Sequence, residues 1–134
     1  MRPRGIGAAV ALLVAASVVV GCQPMPSSVR VEIVIHYSHF DRTEITVPHG
    51  VVVRFVLINE DPIDHEWLIG DAAFHERHRN GTEAQHGARP NEISLPPFAT
   101  VETTLTFEEP GDVAYICHFP GHEAYGMVGT LHVT

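Results

Sequence analysis

Near the C-terminal end, the stretch Cys117-His118-Phe119-Pro120-Gly121-His122-Glu123-Ala124-Tyr125-Gly126-Met127 places a thiol, an imidazole and a thioether five residues apart at each step. Thiolate and thioether are soft donors, and beside imidazole they select soft metals such as copper. Pro120, Gly121 and Gly126 permit the tight path that a loop must follow to wrap an ion. Two imidazoles and a thiolate in a plane, with a weak axial methionine, are the donors of an electron-transfer copper centre. Cys117, His122 and Met127 therefore predict one mononuclear copper ion, with one imidazole still to be found. Four protein ligands leave no open position for a substrate, and no second copper motif is present, so an enzyme is not expected.

His65 is the leading candidate for the fourth ligand. It follows the turn-forming Asn59-Glu60-Asp61-Pro62-Ile63-Asp64 stretch and opens a short strand, which can bring it to the same end of a sandwich. His36, His39 and His49 remain alternatives. His118 would serve a cluster of several metals only alongside paired His-x-His motifs, and the sequence has none, so it is expected in a supporting or surface role. His75 and His78, three residues apart, could join His86 in a secondary metal site; the polar sequence around them predicts a solvent-exposed helix instead.

The elements that must position these residues are short strands. Val29, Val31, Ile33 and Ile35 alternate with Arg30, Glu32 and Val34; residues 44–48 lead into a turn at His49-Gly50. The nearly continuous apolar run 51–58 reads as a strand covered on both faces. A strand at 66–69 stops at Gly70, and residues 71–89 form a polar, His-rich insertion with Asp71 as N-cap of a short helix through Arg79 and Asn80-Gly81 as its stop. Strand character returns at 92–95, 101–107, 112–117 and 129–133. Seven or eight short strands in about a hundred residues predict an all-β Greek-key β-sandwich.

The Cys-x4-His-x4-Met loop with an upstream His after an Asn-containing turn resembles the cupredoxins. Within them, His65-Glu66-Trp67, the His-bearing insertion at 71–89 and the Pro120-Gly121-His122-Glu123-Ala124-Tyr125-Gly126-Met127 ending are similar to bacterial plastocyanin/azurin-like and copper-resistance-associated members. The resemblance covers roughly residues 31–134. It implies an eight-stranded sandwich, a type 1 copper ion held by His65, Cys117, His122 and Met127, and either electron transfer or a part in copper tolerance. A solvent-facing His122 would be the port for electrons.

At the other end, Arg2 and Arg4 precede an uncharged apolar run from Ile6 to Val20, too short and Ala-rich for a membrane span, which predicts a secretory signal. Val19-Val20-Gly21-Cys22 resembles the bacterial lipobox, which makes Cys22 a lipidated mature N-terminus, residues 22–28 a polar tether and residues 29–134 the folded domain. The protein is then expected to be exported and lipid-anchored to the outer face of the cytoplasmic membrane, or periplasmic or at the outer membrane in a Gram-negative cell. Cys117 would be the one remaining thiol in an oxidising compartment, without a disulfide partner, so a metal is a natural way to hold it.

Without residues 1–21, six arginines stand against sixteen acidic residues, a formal charge of -10, and there is no lysine. Nucleic acid is not expected as a partner. A basic or membrane-bound redox protein fits better, met by a monomer of this chain.

Overall fold

The computed structural model describes residues 27–81 and 89–134. The expected signal segment, Cys22, most of the tether and His86 lie outside the described residues. No helix among the described residues is long and apolar enough to cross a membrane.

The chain runs through β1 (Ser28–His36), β2 (His39–Phe40), β3 (Glu44–Val47), β4 (Val52–Asn59), β5 (His65–Gly70), α1 (Ala72–Arg79), β6 (Glu92–Leu95), β7 (Thr100–Thr106), β8 (Gly111–Ile116) and β9 (Val128–Val133). One sheet has the order β2-β1-β4-β7 and the other β3-β9-β8-β5-β6. The pairs β1/β4 and β3/β9 are parallel, because the chain crosses between sheets before returning beside an earlier strand. Such crossings make the expected Greek-key sandwich. Its core lies between the sheets, with Val31, Ile33 and Phe55 from one and Trp67, Tyr115 and Leu131 from the other all buried.

The alternation in β1 is as expected, with Val31, Ile33 and Ile35 facing inward. In β4 the reading of two covered faces holds only for the second half: Val53 and Phe55 are buried between exposed Val52 and Arg54, whereas Phe55, Val56 and Leu57 are buried in succession.

The structure has one strand more than the sequence reading. β2 is a two-residue strand joined to β1 by Tyr37 and Ser38, whose φ angles are 52° and 56°. Positive φ at both central residues is the type I′ hairpin turn, which usually takes Asn or Gly there, so Tyr-Ser gives no sequence signal. A tertiary contact stabilises the turn: the Asp61 carboxylate accepts the backbone N–H groups of Tyr37 and Ser38, each at 2.7 Å.

Asp71 caps α1 as expected, its Oδ1 accepting the Phe74 N–H at 2.7 Å, and Asn80 followed by Gly81 at φ 66° ends it. The expectation of a solvent-exposed helix is overturned. Phe74 seats the helix against β5 so closely that a Cβ on Gly70 would lie 2.4 Å from its ring, and this turns His75 and His78 inward to 1% and 8% exposure. Hydrogen bonds offset their polarity, His75 donating from Nε2 to the Ala114 carbonyl at 3.1 Å and His78 engaging the Phe74 carbonyl through Nδ1 at 2.8 Å.

Candidate metal centre

The antiparallel register of β5 with β8, Leu68 opposite Ile116 and Ile69 opposite Tyr115, puts the start of β5 and the end of β8 at the same end of the second sheet. His65 is the first residue of β5, and Cys117 follows the last residue of β8. The loop to β9 then carries His122 and Met127. It is folded back by hydrogen bonds from Met127 N–H to the His122 carbonyl at 3.0 Å and from Cys117 N–H to the Met127 carbonyl at 3.2 Å. Gly121 and Gly126, at φ 86° and 96°, supply the left-handed turns that this path requires.

His65 Nδ1 and Cys117 Sγ each face His122 Nδ1 at 3.3 Å, and the three donor atoms lie within 4.8 Å of one another. Metal–donor lengths of about 2.0 Å to nitrogen and 2.3 Å to sulfur call for donors roughly 3.5 Å apart around a trigonal ion, so the three atoms fit one. Among the described residues this is the one cluster of three or more His, Cys, Asp or Glu donors arranged to hold a cation. His65, Cys117 and Met127 are fully buried and His122 is partly exposed, so water is excluded on all sides but one. His36, His39 and His49, the alternatives to His65, take no part: His39 and His49 bond backbone carbonyls through Nδ1, and His36 lies beside Glu60.

Three supporting residues were not read from the sequence. Asp61 Oδ2 accepts the Nε2–H of His65 at 2.8 Å, which fixes the tautomer so that Nδ1 presents its lone pair inward. Asn59, 1% exposed, bonds the carbonyls of Ile63, Leu95 and Pro96 through Nδ2 and accepts the Asp61 N–H at Oδ1, so it shapes the loop that carries Asp61. Glu66, 2% exposed, accepts the backbone N–H of His118 at 2.7 Å and so ties the residue after His65 to the residue after Cys117. The Asn-Glu-Asp-Pro cluster signalled a turn but not that two of its side chains point inward.

Burial, with a smaller push from the Glu66 charge, raises the Cys117 thiol to about 11, although the N–H groups of Phe119 and Glu66 directed at its sulfur oppose this. A metal ion held by this sulfur would displace the thiol proton. Burial and the neighbouring His65 ring lower the pKa of His122, with Asp61 opposing, so its imidazole is available as a neutral donor. Burial works against the Asp61 carboxylate, yet the Ser38 and Tyr37 N–H groups and His65 outweigh it and hold Asp61 below the usual carboxylate value.

His118 has a definite place. Its side chain is 5% exposed and lies between α1 and the ligand loop, with Nε2 2.9 Å from His75 Nδ1 and Nδ1 3.2 Å from Glu123 Oε2. Arg79 clamps Glu123 from the helix at 2.6 Å. Burial pushes His118 down to about 4 and lowers His75 as well, so both rings are neutral near pH 7.

This sandwich, with its His-Cys-His cluster at one end, defines a type 1 copper protein. Residues 27–134 match the family described as copper binding proteins, plastocyanin/azurin family, and the chain belongs to it. The copper-resistant cuproprotein CopI of Pseudomonas aeruginosa is 29% identical, over 83% of this chain and 79% of its own length. CopI of Rubrivivax gelatinosus is 36% identical over 70% of this chain, which spans 59% of that relative's length. Among solved structures, auracyanin A, a "blue" copper protein from Chloroflexus aurantiacus, superposes with a TM-score of 0.64 at 29% identity, covering 80% of this chain and 99% of that one. Auracyanin B gives 0.66 at 25% identity, covering 84% and 93%.

Proposed function

We propose that this protein is an exported electron carrier, anchored by lipid on Cys22, which exchanges single electrons with a membrane-bound or exported redox partner. The observation that supports it most is the pairing of a buried, preformed ligand set with one partly exposed ligand, His122. Bound copper supplies a one-electron couple. His65, Cys117, His122 and Met127 would hold the ion, and the sandwich would keep all four from rearranging. Asp61 orients His65, and the buried walls exclude water and other ligands, which leaves no position for substrate and makes catalysis unnecessary to the design. The acidic surface favours a basic partner and keeps the chain monomeric.

A carrier must cycle without losing its metal. Copper-loaded protein is expected to be reduced and reoxidised through repeated rounds with its full visible band restored; copper released on reduction would remove the carrier reading. Replacing Met127 by Leu is expected to leave copper bound and raise the reduction potential, because a weak donor to the oxidised ion is lost. A potential equal to wild type, measured by spectroelectrochemistry, would show that Met127 is no ligand.

A second reading, copper capture for tolerance, is favoured by the His75–His118 contact and by the CopI relatives, whose name is that of copper-resistance proteins. With His75 Nε2–H on the Ala114 carbonyl and His118 Nδ1–H on Glu123, the two nitrogens that face each other at 2.9 Å are both bare lone pairs. Such a pair invites a cation. On this reading the protein takes up a second equivalent of copper, lost in His75→Ala while the first is retained. Saturation of wild type at one equivalent leaves the carrier alone.

A further inference from the structure

We infer that two buried carboxylates, Asp61 and Glu66, tune the oxidation-state preference of the centre and shift it toward the cupric ion. The inference rests on the copper-binding reading of the His65, Cys117 and His122 cluster. It adds two residues that neither the donor set nor the loop motif includes.

Their placement carries it. Glu66 is 2% exposed and Asp61 5%, and a carboxylate is rarely buried so deeply unless its bonds compensate for lost water. Each is fastened to a residue that holds, or directly follows, a ligand. Asp61 accepts from the ring of His65 at 2.8 Å, and Glu66 accepts from the His118 N–H next to Cys117 at 2.7 Å. The two reach the cluster by different routes, one through the imidazole and one through the peptide that follows the thiolate.

A fixed anion attracts a doubly charged ion more strongly than a singly charged one, and in a buried site little solvent screens the difference. Asp61 adds a second effect, since a carboxylate on the far ring nitrogen increases the basicity of the nitrogen that binds metal. Both carboxylates also have structural duties: Asp61 holds the Tyr37-Ser38 turn and Glu66 the entry to the ligand loop. A test must therefore separate charge from scaffold.

Glu66→Gln keeps an acceptor oxygen for the His118 N–H and removes the charge; Asp61→Asn keeps one for the His65 ring and the Ser38 N–H and gives up the Tyr37 N–H, a loss that the thermal midpoint reads. In the full chain, Cu(I) and Cu(II) affinities are measured by chelator competition, with the reduction potential and the apo-protein thermal midpoint as companion readings. Each variant is expected to raise the ratio of Cu(I) to Cu(II) affinity at least tenfold, 59 mV in a one-electron couple, and the double variant further. A purely structural role would lower the thermal midpoint and leave that ratio unmoved. If Glu66→Gln does not fold, Asp61→Asn alone decides. Wild-type chain that takes up no copper overturns both the copper reading and this inference; copper bound with an unchanged or lowered ratio in the folded variants overturns this inference alone.

Discussion

Cys117→Ser is expected to abolish the intense visible absorption of the copper-loaded protein while leaving the fold in place. The sulfur sits at 0% exposure with the His122 ring 3.3 Å away, so no other thiolate among the described residues can substitute for it. Serine is smaller and isosteric, and the Glu66 and Phe119 N–H groups that point at the sulfur can point at its oxygen. The change therefore costs little packing. It costs most of the electronic character, because a hydroxyl oxygen is a hard donor that copper binds weakly and that gives no thiolate-to-metal charge transfer. The band should fall by at least an order of magnitude, read by titrating Cu(II) into the apo protein and recording the spectrum. A Ser variant as strongly coloured as wild type would place the chromophore elsewhere.

The parts of this site differed in how far the sequence revealed them, and chain distance explains the difference. Cys117, His122 and Met127 lie on one loop, where spacing alone implies proximity, and turn residues confirm the path. His65 was within reach because a turn and a strand start are local signals, but its meeting with His122, 57 residues away, depends on the pairing of β5 with β8. Glu66 bonds His118 across 52 residues, and Asp61 bonds Tyr37 across 24; neither contact leaves a trace in local composition. A glutamate in a strand usually faces solvent, so the residue type gives no signal of Glu66's burial.

The insertion shows the opposite failure. The helix over 71–79 and its caps were legible, since Asp71 and Asn80-Gly81 are chemical signals of ends. Its orientation was not. Eight residues with three basic side chains in the last turn read as a solvated helix, yet Phe74 is its one large apolar residue, and the face around Phe74 is the one that packs. His75 and His78 follow it inward and bring an imidazole cluster beside Cys117, which converts a surface feature into a neighbour of the metal centre.

Removing the Asn59 side chain is expected to lower stability more than most buried polar substitutions would, and to disturb the centre without touching a ligand. Two hydrogens on Nδ2 serve three carbonyls, those of Ile63, Leu95 and Pro96, at 2.9, 3.1 and 2.8 Å, while Oδ1 takes the Asp61 N–H at 3.0 Å. Asn59→Ala leaves these groups without their partner in a site where Asn59 is 1% exposed. At about 1 kcal/mol for each lost bond the cost is about 3 kcal/mol, and water entering the small cavity recovers only part of it. Asn59→Asp should be worse than Ala, because it would press a carboxylate against the same three carbonyl oxygens. Urea unfolding of the apo protein checks the order, wild type above Ala above Asp; an Asp variant as stable as wild type would mean that the amide is not the donor. The functional consequence follows from what the loop carries. Once residues 60–64 are no longer pinned, Asp61 loses its fixed position against His65, and the copper band of Asn59→Ala should shift and broaden even though all four proposed ligands remain.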